Sequence, residues 1–137
     1  MNEEQQEQQS WQWVEVLKAL SREERIAMGF AANPNWAEEE IIPWADSKAE
    51  FDPRVLQYTL SIISNPWREI IAGIECAILL ITGNPQLGAI VTSETAHEAE
   101  QLWKHGEVKH ISGAGHNIHR DRYEETMAAV RDFLKHN

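Results

Sequence analysis

The run Ala77-Ile78-Leu79-Leu80-Ile81 is apolar without alternation. That is the pattern of a strand sheltered on both faces, as in a parallel sheet, and not of a half-exposed antiparallel one. Some ten residues further on the period changes. Thr92 or Ser93 can cap a helix, Glu94 lies in its first turn, and Ala96, Ala99 and Trp103 recur at helical spacing, with Lys104, His105 and Gly106 as a cationic, glycine-closed end. Glu107 to Ile111 is short and β-prone, and a crossover helix of this length predicts that it runs parallel to the first strand. A last helix is predicted from about Asp121 to Lys135, burying Tyr123, Met127, Val130 and Leu134 over one face of the sheet. The loops Gly83 to Thr92 and Ser112 to His119 then leave the same C-terminal edge, where ligand chemistry collects in open α/β sheets.

Before this β-α-β unit the apolar positions follow helical periods only. Ser10 is predicted to cap a helix to about Leu20, with Trp13, Leu17 and Leu20 inward and Val14 and Val16 widening the face. Ser21 and Glu24 have the spacing of a capping box, opening a helix to about Ala32 that carries Ile26 and Phe30. Asn33-Pro34-Asn35 stops this pair, and a short helix from Trp36 to Ile42 is expected to end or kink at Pro43. Asp52-Pro53 starts another helix with Val55, Leu56, Thr59, Leu60 and Ile63 buried, and Asn65-Pro66 repeats the device before Trp67, Ile70 and Ile71.

The fold class expected is therefore α/β. Residues 1–9 form a disordered acidic tail, residues 10–73 a helical cap-like layer, and residues 74–137 a two-stranded parallel β-α-β unit with a C-terminal helix. At 137 residues, 42% hydrophobic and 25% charged, the chain suits one globular domain. The formal net charge of −10 and the lack of a basic run argue against nucleic acid and anionic membrane as partners. No apolar run approaches the ~20 residues that span a bilayer. The N-terminus lacks the cationic start and apolar core of a secretory signal, so the expected compartment is the cytoplasm.

With these elements in place, the stretches LLITGNPQLGAIV and HISGAGHNIHRDRY resemble the C-terminal part of α/β-hydrolases, namely the strand carrying the acid loop and the last strand with the catalytic-histidine loop and final helix. The resemblance covers roughly Ile74 to Leu134. It implies that His116, in the Gly113-Ala114-Gly115-His116 turn, holds the position of the triad base, and that Asn84 stands at the acid position where the family tends to carry aspartate. Glu94 could in principle substitute for that acid. No G-x-S-x-G nucleophile elbow occurs in the sequence. The chain is accordingly expected to be the C-terminal portion of a Ser-His-acid hydrolase of ester, amide or related bonds, inactive alone, with a small-molecule substrate in the complete enzyme. The alternative is a non-catalytic helical interaction module on a hydrolase-like scaffold. A strand edge left open on Ala77 to Thr82 would pair with the missing N-terminal half or with another copy.

The remaining candidates read more simply. His105, His110, His116 and His119 have neither H-E-x-x-H nor paired-cysteine spacing, and no metal or other cofactor is expected. Trp11, Trp13, Trp36, Trp44, Trp67 and Trp103 are read as core rather than as a pocket lining. Glu38-Glu39-Glu40 is a solvated helix face. The single cysteine, Cys76, is expected to be a buried inert thiol.

Overall fold

The computed structural model describes residues 12–58 and 66–136. The predicted tail, the Ser10 cap and the apolar positions Thr59, Leu60 and Ile63 lie outside these residues. The chain forms two compact units, Met1–Asn65 and Pro66–Asn137. It is a mixed helix-and-sheet protein whose sheet is a two-stranded parallel pair, as the α/β reading expects.

In the first unit, helix α1 (12–19) is followed by α2 (Arg22–Ala32) and α3 (Glu38–Glu50). The capping box at α2 is present: Ser21 N–H donates to Glu24 Oε2 (2.7 Å), and Glu24 N–H donates to Ser21 Oγ (3.2 Å). The buried faces are narrower than the apolar periodicity implies. In α1 they are Val14 and Leu17, while Trp13 and Val16 are exposed. In α2 they are Arg25 and Gly29, while Phe30 is exposed. In α3 they are Ile41 and Ala45, both fully buried.

These seams bring backbones close. A β-carbon on Gly29 would lie 3.1 Å from Ile41 Cγ2 and from the Trp44 ring, so glycine there lets α2 and α3 pack directly. The half-exposed Trp13 instead offers its ring face to Lys48, whose Nζ stands 5.7 Å from that ring and 5.1 Å from Trp44, a cation–π arrangement at the rim. Pro43 neither ends nor breaks α3. Ile41 and Ala45, one turn apart on either side of it, are held in the core, and this burial outweighs the hydrogen bond that proline cannot donate.

Asp52-Pro53 opens a 3₁₀ turn, Pro53–Tyr58, and not the expected α-helix. Asp52 Oδ1 accepts from Arg54 N–H (3.0 Å), and its carboxylate also holds the Arg54 guanidinium. The pairing pulls the Asp52 carboxyl down to about 2. Val55 is left exposed.

The second unit contains α4 (Trp67–Ala72), β1 (Ile78–Thr82), α5 (Ser93–Glu100), β2 (Gly106–His110), α6 (Ile118–Asp121) and α7 (Tyr123–His136). The strands run parallel in the register Ile78↔Gly106 through Thr82↔His110, with α5 packed against β2 and α7 against β1. Thr92 caps α5 by accepting from Thr95 N–H (3.2 Å), and Ala96 and Ala99 are its buried face. The helix stops at Glu100, so Gly106 opens β2 instead of closing α5. Glycine is required there because a β-carbon would come within 2.7 Å of the Trp103 indole and 2.9 Å of Ile78 O.

Two expectations are corrected in this unit. Cys76 is exposed, because the strand begins only at Ile78 and Cys76 lies in the bend before it. The final helix is broken at Arg122 (φ −143°, ψ 66°). The break changes the helical phase, and α7 buries Thr126 and Ala129 while Tyr123 and Leu134 are exposed. Thr126 tolerates burial because its hydroxyl donates to Arg122 O (2.7 Å). Among the described residues no helix is long and apolar enough to cross a membrane.

Candidate functional site

Parallel strands deliver their following loops to one edge, and here the two loops are joined backbone to backbone. Ile111 N–H donates to Thr82 O (2.8 Å), extending the ladder by one bond beyond β2. Past that point, Asn84 N–H donates to Ala114 O (2.7 Å), and Gly113 N–H donates to Asn84 Oδ1 (2.6 Å). Gly115 N–H donates to Asp121 Oδ2 (2.7 Å), tying the same loop to the end of α6.

Glycine makes this approach possible. A β-carbon on Gly83 would lie 2.6 Å from Ala114 O and 2.8 Å from Gly115 O, and one on Gly115 would lie 2.2 Å from Leu87 O. Gly113 adopts φ +76°, a conformation that L side chains resist, and the Arg122 guanidinium fills the space that a β-carbon there would need. Ala114 is completely buried beneath the loop crossing.

His116 follows this pinned turn and is exposed. Asn84 is half-buried, and its side-chain oxygen is bonded to Gly113 and not to the imidazole. The two positions singled out in the sequence thus belong to loops that touch, with the carboxamide of one clamping the turn that carries the other. With Oδ1 already accepting from Gly113, a ring placed on the free side of the amide meets its N–H₂. Such a donor requires a bare Nδ1 and so favours the tautomer protonated on Nε2, which is wrong for a base that must accept a serine proton.

Glu94 stays at the N-terminus of α5. Hydrogen bonds from its own backbone and from Thr92 and Ser93 hold its carboxyl below the usual range, so the carboxylate is spent on its own helix end. The other histidines lie apart. His110 Nδ1 meets Thr82 Oγ1 at 3.2 Å across the strand pair, and His105 precedes β2, its carbonyl accepting from Ile78 N–H. Among the described residues no group of three or more His, Cys, Asp or Glu could hold a metal ion. Sequence reasoning missed Asp121 as a loop anchor. Its only signal is a carboxylate six residues after a glycine whose N–H needs an acceptor.

Gly115→Ala is expected to destabilise the second unit by about 1–3 kcal/mol, because the new methyl group cannot coexist with Leu87 O. Urea unfolding would give the loss. Backbone amide shifts confined to residues 84–88 and 113–116 would locate it.

Compared with known protein families, curated proteins and solved structures, the chain gives no match.

Proposed function

We propose that this chain is the C-terminal portion of an α/β-fold hydrolase, with His116 as the triad base and Asn84 at the position of the acid. The observation that supports this most is the bonding of the two post-strand loops at one edge of a parallel β-α-β unit, through Asn84 to Gly113 and Ala114, with His116 exposed beside them. In this reading a serine on another part of the assembly attacks an ester, amide or related carbonyl of a small-molecule substrate. His116 takes the serine proton, passes it to the leaving group, and then activates water on the acyl-enzyme. The assembly would work in the cytoplasm.

A second reading is favoured by one observation. The neutral Asn84 has its oxygen committed to Gly113, which suits a non-catalytic interaction module that keeps the loop geometry without the charge a triad needs.

The test is to tag the chain at its C-terminus in its native cells, isolate whatever contains it, and treat that with a fluorophosphonate probe. The isolated 137-residue chain should not label. The native assembly should label on a serine and turn over p-nitrophenyl esters, with both lost on His116→Ala. If the native species neither labels nor turns over ester, the hydrolase reading fails and the interaction module replaces it.

A further inference from the structure

We propose that two copies of this chain pair through their β1 strands, antiparallel about a two-fold axis through Leu80, with Leu79 of each copy opposite Ile81 of the other. This rests on the strand ladder and the charge pattern; it does not depend on the catalytic reading, and it gives the β1 edge to a second copy instead of to a nucleophile-bearing half.

The bonds Ile78 N–H to His105 O and Ile111 N–H to Thr82 O, with the parallel register, turn the main-chain groups of Ile78, Leu80 and Thr82 toward β2. By alternation, the N–H and C=O of Leu79 and Ile81 point the other way, to an edge with no strand beside it among the described residues. An apolar strand edge of this kind templates pairing.

The two outer edges of the sheet differ. On β2, Glu107 and Lys109 are exposed, and charges of this kind blunt an edge strand. On β1 there is no such guard. The chain carries a net charge of −10, yet between Glu75 and Glu94 it has no charged residue at all. Two identical acidic molecules repel on balance, and an uncharged stretch is where that repulsion is weakest. The same segment bears Leu87 and Ile90, exposed to 58% and 76%. Their loop leaves the C-terminal end of β1, which in an antiparallel pair lies beside the partner copy's strand start.

The register is self-complementary. Residues whose main-chain groups face outward, Leu79 and Ile81, fall opposite each other and exchange both hydrogen bonds. Leu80 then meets its own copy at a non-hydrogen-bonded site, so the arrangement closes with two-fold symmetry. A sheet ordered β2-β1-β1-β2 results, with both outer edges guarded by charge.

Leu80→Cys in a Cys76→Ser background tests the register directly. At a non-hydrogen-bonded antiparallel site the two Cα atoms stand about 4.5 Å apart, within disulfide reach. Mild oxidation should therefore link Leu80→Cys between chains and leave Glu107→Cys, on the guarded edge, unlinked. Sedimentation velocity of the unmodified chain should show a dimer that dissociates on dilution. Ile81→Pro, which removes an outward N–H and no bond to β2, should shift it to monomer with its circular dichroism retained. If Ile81→Pro unfolds the protein, the linking pair decides. A chain monomeric at every concentration, a dimer indifferent to a folded Ile81→Pro, or linkage at Glu107→Cys without linkage at Leu80→Cys overturns the proposal.

Discussion

If the chain serves the proposed hydrolase, Asn84→Asp is expected to raise its turnover by roughly 10²-fold, and toward the ~10⁴ of the corresponding serine-protease exchange only if every other distance is already correct. The geometry explains why the change should be tolerated. One oxygen of the new carboxylate can keep the bond from Gly113 N–H that Asn84 Oδ1 now accepts at 2.6 Å. The second replaces an N–H₂ donor with an anionic acceptor. That acceptor can accept a hydrogen bond from Nδ1–H of His116, set the tautomer that leaves Nε2 bare, and stabilise the imidazolium as it forms. The gain should lie in kcat. Flat turnover in Asn84→Asp, with loss of activity on removing Glu94 or another carboxylate, would mean that Asn84 serves the loop alone.

Arg25→Ala should cost the first unit about 1–3 kcal/mol, the range for a buried carbonyl left without a donor, because the Leu17 and Leu20 carbonyls lie at the open end of α1. Its Nε donates to Ala45 O (3.2 Å), and its Nη1 donates to Leu17 O (3.4 Å) and Leu20 O (2.5 Å). A single guanidinium thus closes the C-terminal end of α1 and ties it to α3, with only 8% of the residue exposed. Asp46, whose carboxyl is held low first by its bond to Arg22 and further by the charge of Arg25, supplies nearby negative charge. Arg25→Lys should recover only part of the loss, because an ammonium lacks the fork that spans these carbonyls. Chemical denaturation would read both variants. An Arg25→Ala protein as stable as the parent would show that the carbonyls find water and that the bonds contribute little.

The exposed Arg22–Asp46 pair illustrates the opposite case. Its geometry is bidentate, at 2.7 and 3.0 Å, but both side chains are about half exposed. Solvent screens such pairs, and they contribute little to stability. Burial, and not the number of bonds, separates Arg25 from Arg22.

Local chemistry was legible before any coordinates. The Ser21–Glu24 box, the Thr92 cap and the parallel pairing of two short strands each depend on residues within a few positions or on the length of one crossover, so spacing alone specifies them. The same holds for the proximity of the Asn84 and His116 loops, which follows from two parallel strands sharing one edge. What the side chains of those loops do was not legible. Asn84 clamps Gly113 and Asp121 holds Gly115, and both bonds join residues whose adjacency exists only after the strands pair.

The amino-acid sequence by itself determined where α2 and α5 begin, that β1 is apolar on both sides, that its neighbour runs parallel, and that the segment from Cys76 to Ser93 is uncharged. Those properties reside in propensity, period and composition. Only the tertiary structure decided which helix faces are inward. Apolar periodicity nominates every large side chain, but close packing selected Val14 and Leu17 over Trp13 and Val16, Arg25 and Gly29 over Phe30, and Thr126 and Ala129 over Tyr123 and Leu134. The physical reason is that a buried face needs small or hydrogen-bonded residues where backbones approach. A glycine, an alanine, or an arginine with its N–H groups satisfied meets that need better than a larger apolar group, and no local pattern records which neighbour will arrive.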